Sequence, residues 1–261
     1  MLKLISMKKW TQTLCVLFLA SVVCLQSSKT PACQKPIDVA IWRENRLFLS
    51  LFFFLFVIGL LPFFFFDSVA FFIFVKQWHH PIADGMAPYL SAIGHGLVYA
   101  CMLCLLALLR IRCKTLLIFG GSFVCMSLVV QVLKRVVFAD SLRPSALVAM
   151  ESVHVVDGIK LLTDLSFPSG HAGTIFTMAA VLQLISKRKI DWCACVLCVV
   201  AWLVAYSRVY LCQHFYRDIY VGACIGVGST LLVYRMVHPL QHPWLDQSIY
   251  GCIRSIWKDA A

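Results

Sequence analysis

The feature that most constrains this chain is a series of apolar stretches, each long enough to cross a lipid bilayer. A helix needs about 20 predominantly apolar residues to span the hydrocarbon core. Because lipid offers no partner for backbone N–H and C=O groups, each such stretch is expected to be a helix. The sequence therefore predicts an all-α, polytopic membrane helix bundle with six core transmembrane helices, at residues 47–66, 91–109, 115–133, 168–186, 190–206 and 219–237.

Composition supports this class and excludes others. Apolar residues make up 61% of the 261 residues and charged residues only 13%, about half the charged share of a soluble domain. Intrinsic disorder is excluded by that hydrophobicity. The net charge of +11 is not gathered on a basic face with interleaved aromatics, so the bilayer is the expected partner and nucleic acid is not.

The cysteines give no indication of a cofactor. A disulfide scaffold is typical of small secreted chains, whereas most of the 13 cysteines here lie in apolar stretches, where thiols act as small hydrophobes. Cys195 and Cys198 have CxxC spacing, but no second pair or nearby histidine completes a zinc site. We therefore expect no metal and no other cofactor.

The chain divides into three parts: an N-terminal segment 1–46, the six-span domain 47–237, and a short cytoplasmic tail 238–261. The first part holds an apolar stretch at 10–26 that fits a signal peptide, an extra span or an interfacial helix. Residues 67–90 mix apolar and polar side chains and are expected to lie along an interface.

The basic residues orient the bundle. Lys and Arg accumulate in cytoplasmic loops, and they occupy the loop after the second span (Arg110, Arg112, Lys114) and the loop after the fourth (187–189). The remaining loops then face outward, at 67–90, 134–167 and 207–218. In a bacterial inner membrane these outer loops would face the periplasm.

Three polar clusters follow or precede the spans, at 134–144 (KRVVFADSLRP), 167–171 (FPSGH) and 207–218 (SRVYLCQHFYRD). No span separates the first cluster from the second, and two spans separate the second from the third. Since each span carries the chain across the membrane, all three clusters are predicted to meet at one surface.

The residue types in these clusters indicate an anion site. Lys134, Arg143 and Arg208 supply three cations, and guanidinium groups match phosphate oxygens in pairs. Ser169 and Gly170 stand where a helix begins, and the exposed N–H groups of a helix N-terminus favour an anion.

The same clusters contain groups suited to covalent catalysis. His214 and Asp218 are four residues apart, which places them on one face of a helical turn. A carboxylate so placed fixes the imidazole tautomer and prepares a nucleophile, and His171 is a second imidazole that can act as general acid. Other histidines and the tyrosines near the third cluster are expected to be structural or interfacial: His79, His80, His95, Tyr206, Tyr210, Tyr216 and Tyr220.

At these residues the chain resembles the type 2 phosphatidic acid phosphatase superfamily, which also includes the vanadium haloperoxidases. PSGH is intact at 168–171, and Ser207-Arg208, five residues, His214, three residues and Asp218 reproduce the third family motif. In the first motif eight residues separate Lys134 from Arg143, where the family usually has six. The six-span plan resembles the membrane lipid phosphatase branch over residues 45–237.

The resemblance implies a metal-independent mechanism. His214 would attack the phosphorus and form a phosphohistidine, with Asp218 orienting it and His171 protonating the leaving oxygen. The phosphate oxygens would be bound by Lys134, Arg143, Ser169, Gly170 and Arg208.

The predicted function is an integral membrane lipid phosphate phosphatase acting at the periplasmic face. Candidate substrates are undecaprenyl pyrophosphate, phosphatidylglycerol phosphate, phosphatidate and a lipid A phosphate, with residues 145–167 shaping the headgroup pocket. Alternatives are a lipid phosphotransferase, a haloperoxidase, which membrane embedding disfavours, and a non-enzymatic membrane protein. The sequence gives no indication of oligomeric state.

Overall fold

The structure is a computed structural model that describes residues 37–186 and 191–259. Within these two ranges the regular secondary structure is helical, and the β pairing is confined to one isolated bridge between Arg112 and Ser248. This confirms the all-α prediction for the described part of the chain. The apolar stretch at 10–26 and the basic loop at 187–189 lie outside the described residues.

Eleven α-helices are assigned in the described ranges. The first six are α1 (Ile37–Ile58), α2 (Leu61–Phe65), α3 (Ser68–Lys76), α4 (Pro81–Ile93), α5 (Gly96–Leu108) and α6 (Cys113–Val132). The others are α7 (Pro144–Leu147), α8 (Gly170–Ile185), α9 (Asp191–Tyr210), α10 (Tyr216–Val237) and α11 (Ile249–Asp259).

Several of these helices can cross a membrane. In the described ranges four segments are long and apolar enough: Arg43–Phe65, Cys113–Val137, Trp192–Tyr210 and Tyr216–Val237. The pair α4 and α5, which meet at a bend of 53°, is a fifth candidate for a crossing. The remaining predicted span, the fourth at 168–186, corresponds to α8, an apolar helix of 16 residues that is about 24 Å long. The polytopic helical bundle is therefore confirmed.

The region before and within the second predicted span differs from the sequence prediction. The straight helix expected at 91–109 is instead broken near Gly94, and residues 67–90 are largely helical. Local capping explains the added helices. The Asp67 carboxylate accepts the Val69 N–H at 3.0 Å at the start of α3, and His80 Nδ1 accepts the Ile82 N–H at 3.2 Å at the start of α4. Such caps satisfy N–H groups that the first turn leaves unpaired.

Helix α8 forms the centre of the bundle and is buried over nearly its whole length. It packs against α6, α9 and α10. Two glycines of α10 let its backbone approach α8 closely. A Cβ at Gly222 would lie 2.5 Å from the Ser169 carbonyl oxygen, and a Cβ at Gly226 would lie 2.5 Å from the Gly173 carbonyl oxygen.

Two of the tyrosines expected at the interface are instead part of the core. Tyr220 is fully buried, stacks on Phe56 with ring centroids 4.7 Å apart, and donates its hydroxyl to the Phe56 carbonyl at 2.6 Å. Tyr210 is also buried. The interfacial prediction is wrong for both, because their hydroxyls find acceptors inside the protein rather than in the headgroup region.

We expect Gly226→Ala to destabilise the protein because the added methyl group would meet backbone atoms of α8, which cannot move aside. The expected loss in the free energy of unfolding is about 1–3 kcal/mol. Thermal unfolding in detergent measures it. Gly85→Ala is the matched control, since a Cβ there meets nothing within 4 Å; equal unfolding temperatures for the two variants would contradict the packing argument.

Candidate active site

The turn between α9 and α10 carries His214. The N–H groups of Gln213 and His214 both donate to the Arg208 carbonyl oxygen, at 2.9 and 3.2 Å. Cys212 adopts a positive φ of 56°, which reverses the chain there. The turn therefore packs against the end of α9, and it places His214 beside Arg208, which belongs to the same motif.

Asp218 lies in the first turn of α10 and faces His214. Its Oδ2 accepts the Phe215 N–H at 3.0 Å, which caps the helix, and it lies 3.4 Å from Nδ1 of His214. Only 2% of the His214 side chain and none of the Asp218 side chain is exposed. With Nδ1 facing the carboxylate, Nε2 is the nitrogen that remains for another group.

Burial keeps the His214 imidazole neutral. Loss of hydration lowers the pKa of His214 from 6.5 to about 3, the Asp218 carboxylate opposes this shift, and the nearby charges of Arg143 and Lys134 add to it. Because burial disfavours the charged imidazolium, the ring keeps a nitrogen lone pair at neutral pH. This is the form that a nucleophile requires.

Ser166 is a site residue that the sequence analysis missed. Its hydroxyl donates to Asp218 Oδ2, and its side chain is completely buried. The backbone joins the clusters at the same place: the Ser166 N–H donates to the Ser141 carbonyl and the Ser169 N–H donates to the Asp218 carbonyl, both at 2.9 Å. Residue type and spacing did not mark Ser166; only its closeness to PSGH could have suggested it.

Arg143 connects the long loop before α8 to the turn that carries His214. Its Nε donates to the Asp164 carbonyl at 2.8 Å, and its Nη1 donates to the Gln213 carbonyl at 2.8 Å and to Gln213 Oε1 at 3.3 Å. Burial lowers the pKa of Arg143, while the carboxylates of Asp218 and Asp164 oppose that shift. The three bonds hold the guanidinium in one orientation without using Nη2. Gln213 is a second residue that sequence reasoning missed.

Lys134 reaches the same cluster despite the long spacing in the first motif. It lies in a π-helical turn, Leu133–Val137, that continues α6 and closes with the Phe138 N–H donating to the Leu133 carbonyl at 2.8 Å. A π turn accommodates one extra residue without lengthening the helix. The charges of Arg143, Arg208 and Asp218 all act on the Lys134 ammonium group, so it lies within their electrostatic reach.

Arg208 is held by a residue outside the three motifs. Its Nη1 donates to the Ser91 hydroxyl at 2.5 Å, and its buried Nε has no acceptor among the described residues. Ser91 lies near the end of α4 and is the third site residue that the sequence analysis missed. The unpaired Nε–H is a donor that an anion can satisfy, since buried N–H groups rarely lack a partner.

The start of α8 supplies the last predicted group. Ser169 caps the helix, its hydroxyl accepting the Ala172 N–H at 3.4 Å. A Cβ on Gly170 would meet only Val130, at 3.9 Å, so the protein leaves space beside this glycine. His171 is half-buried, and its ring centroid lies 5.6 Å from that of His95, a histidine expected to be structural.

A second polar cluster connects several elements next to the site. The Tyr210 hydroxyl donates to Asp84 Oδ1 at 2.5 Å, and the same oxygen lies 2.9 Å from His154 Nε2. Lys76 donates to the Tyr210 carbonyl at 2.6 Å. These bonds link α3, α4 and the loop 145–167 to the end of α9, directly before the His214 turn.

The chemistry of the site is that of an anion receptor with a nucleophile. Across residues 37–186 and 191–259 no group of three His, Cys, Asp or Glu side chains is placed to hold a metal ion. Three cations, a helix N-terminus and a neutral imidazole instead lie close to one another. Such a set can bind a tetrahedral oxyanion and attack its central atom.

Comparisons with known proteins agree with this geometry. Residues 115–241 match the family model of the PAP2 superfamily. The undecaprenyl-diphosphatase of Sulfolobus acidocaldarius is 39% identical over 70 residues, which is 27% of this chain and 32% of that protein. The matched segment thus spans about a third of the length of that curated relative.

A solved structure shares the fold. The crystal structure of Aquifex aeolicus LpxE superposes with a TM-score of 0.54 and 27% sequence identity, over 63% of this chain and 93% of that one. Together with the family match, this confirms the resemblance that the motifs indicated.

We expect Arg208→Gln to weaken binding of orthovanadate or inorganic phosphate about tenfold or more, because a charge-assisted hydrogen bond is lost from a buried site. Titration calorimetry on detergent-purified protein measures the Kd. Arg135→Gln is the matched control, since Arg135 is exposed and donates to Gln131 at 3.1 Å. Equal Kd values for the two variants would contradict this assignment of Arg208.

We expect the His214 ring to remain a neutral imidazole between pH 7 and about pH 5, because burial lowers its pKa to about 3. Nitrogen NMR of histidine-labelled protein distinguishes imidazole from imidazolium, and a spectrum of His214→Ala assigns the signal. An imidazolium signal that grows in as the pH falls from 7 to 5 would contradict the expected state.

Proposed function

Because residues 115–241 match the PAP2 superfamily and hold the candidate site, we propose that this protein is an integral membrane phosphatase that removes phosphate from a lipid through a phosphohistidine intermediate. The proposal extends to the location: the site would face the periplasm from a bacterial inner membrane. Basic residues in the opposite loops support that orientation.

One observation carries the proposal: a neutral, carboxylate-oriented imidazole lies within a buried group of cations. His214 Nδ1 is 3.4 Å from Asp218 Oδ2, and the charges of Lys134 and Arg143 act on the same ring. The combination suits attack on a phosphate, whose negative charge the cations offset.

The proposed reaction has two steps. Nε2 of His214 attacks phosphorus, the bond from phosphorus to the lipid oxygen breaks, and that oxygen takes a proton from His171. Water then attacks the phosphohistidine, gives a proton back to His171, and releases inorganic phosphate. Throughout, the equatorial oxygens would be bound by Lys134, Arg143, Arg208, Ser169 and the Gly170 N–H, so the side chains supply the positive charge and no metal is expected.

The substrate is proposed to be a lipid because the site lies at the ends of membrane-spanning helices. Lys134 follows α6, and His214 lies between α9 and α10. A phosphate at headgroup depth would reach this level from the bilayer. The undecaprenyl-diphosphatase relative and the LpxE structure support the lipid phosphate class, which includes undecaprenyl pyrophosphate, phosphatidylglycerol phosphate, phosphatidate and a lipid A phosphate.

The alternative with the same chemistry is a lipid phosphotransferase, in which an acceptor other than water takes the phosphoryl group. Transfer of labelled phosphate to a second lipid, without free phosphate, would favour it. A non-enzymatic role is the alternative of a different class.

We expect detergent-purified protein to release phosphate from at least one lipid phosphate in the presence of EDTA, and His214→Ala to lose this activity by a factor of about 10³ or more, because the nucleophile itself is removed. His242→Ala is the control, since His242 is exposed and distant in the chain. Acid-labile, base-stable labelling by a substrate carrying labelled phosphate tests the intermediate.

Loss of activity on adding EDTA would contradict the metal-independent mechanism. Equal release by the wild type and His214→Ala would contradict the assignment of the nucleophile. Absence of release from every lipid phosphate would overturn the phosphatase itself.

A further inference from the structure

The bend between α4 and α5 forms a wall of the candidate site. We refer to residues 91–95, from Ser91 to His95, as the elbow. The two helices meet there at 53°. The elbow lies outside the segment that matches the PAP2 superfamily, residues 115–241, and none of the three motifs includes it.

Three elbow residues lie against Arg208 or His171 of the candidate site. Ser91 accepts a hydrogen bond from Arg208, a Cβ on Gly94 would lie 3.2 Å from the His171 carbonyl oxygen, and the His95 ring lies 5.6 Å from the His171 ring. The two imidazoles meet edge to face, at 75°. The bend therefore places His95 next to the proposed general acid.

The three histidines of the site differ in how exposed their side chains are. His214 is buried, His171 is half-buried and His95 is exposed. In an in-line displacement the leaving group departs on the side opposite the nucleophile. A substrate attacked by His214 and protonated by His171 would therefore extend its leaving group toward His95.

The hydrogen bond that His95 already makes determines whether its other ring nitrogen can donate to or accept from the leaving group. Its Nδ1 accepts the Leu97 N–H at 3.2 Å and so caps α5. A backbone N–H can only donate, so Nδ1 carries no proton and Nε2 carries one. The outward side of His95 is thus an N–H donor, which requires an acceptor oxygen on the leaving group.

Resting on the proposed function, we propose that the substrate is a lipid diphosphate and that His95 Nε2–H binds its second phosphate. The terminal phosphate occupies the cation cluster, and the phosphate attached to the lipid lies at the elbow. A lipid monophosphate would instead place an uncharged alcohol-derived group there, whose oxygens accept hydrogen bonds more weakly than those of an ionised phosphate.

The reaction on a lipid diphosphate transfers the terminal phosphoryl group to His214. A bond forms between His214 Nε2 and the terminal phosphorus, and the bond from that phosphorus to the bridging oxygen breaks. The bridging oxygen receives the proton of His171 and leaves as a lipid monophosphate, and water later releases inorganic phosphate. Since a phosphomonoester has a second pKa near 6, it is a far better leaving group than an alkoxide.

The test compares two matched histidine variants on two matched substrates. His95→Asn keeps an oxygen that can cap α5 but is too short to reach the leaving group. His80→Asn is the control, because His80 caps α4 through Nδ1 with the same 3.2 Å bond and is also exposed. The substrates are a prenyl diphosphate and the prenyl monophosphate of the same chain length.

For His95→Asn we expect kcat/KM to fall about tenfold or more on the diphosphate, as for loss of a hydrogen bond to a charged group, and less than about threefold on the monophosphate. His80→Asn is expected to match the wild type on both. An equal fall on both substrates, no fall on either, or a wild type that prefers the monophosphate would overturn the proposal.

The phosphatase activity and the role of His95 can be rejected separately. Wild-type activity on a lipid phosphate that His214→Ala abolishes, together with an unchanged His95→Asn, rejects the role of His95 and leaves the phosphatase in place. Absence of wild-type activity on both substrates rejects the phosphatase and the diphosphate together.

Discussion

The buried carboxylate of Asp218 is the group on which the arrangement of the site depends. An unpaired charge inside a protein costs several kcal/mol, so this carboxylate has to be surrounded by donors. The Ser166 hydroxyl, the Phe215 N–H and the His214 ring surround it, and the Asp218 carbonyl accepts the Ser169 N–H. The hydrogen bonds made by Asp218 thus hold the second motif (PSGH) and the third motif in a fixed position relative to each other.

Two cations near that carboxylate, Arg143 and Arg208, are oriented by neutral partners rather than by acids. Arg143 donates to backbone carbonyls and to Gln213, and Arg208 donates to Ser91. Because these partners carry no negative charge, they orient the guanidinium groups without neutralising them. The cluster is left with excess positive charge, which a bound phosphate offsets.

Much of the site could be predicted from the sequence because its main residues lie in short motifs next to strong span signals. The i, i+4 spacing of His214 and Asp218, and the parity of the spans, required no tertiary information. The supporting residues could not be predicted in this way. Ser91, Ser166 and Gln213 are ordinary polar residues, and only the packing of helices distant in sequence shows that each contacts a motif residue.

The sequence by itself determined that this chain forms membrane-spanning helices and that three polar clusters share one surface, since both follow from the length and order of apolar segments. Only the tertiary structure decided that the second crossing bends near Gly94 and brings His95 beside His171. The physical reason is that helix formation depends on neighbours in sequence, whereas the close neighbours of the bend, Val204 and His171, belong to other helices.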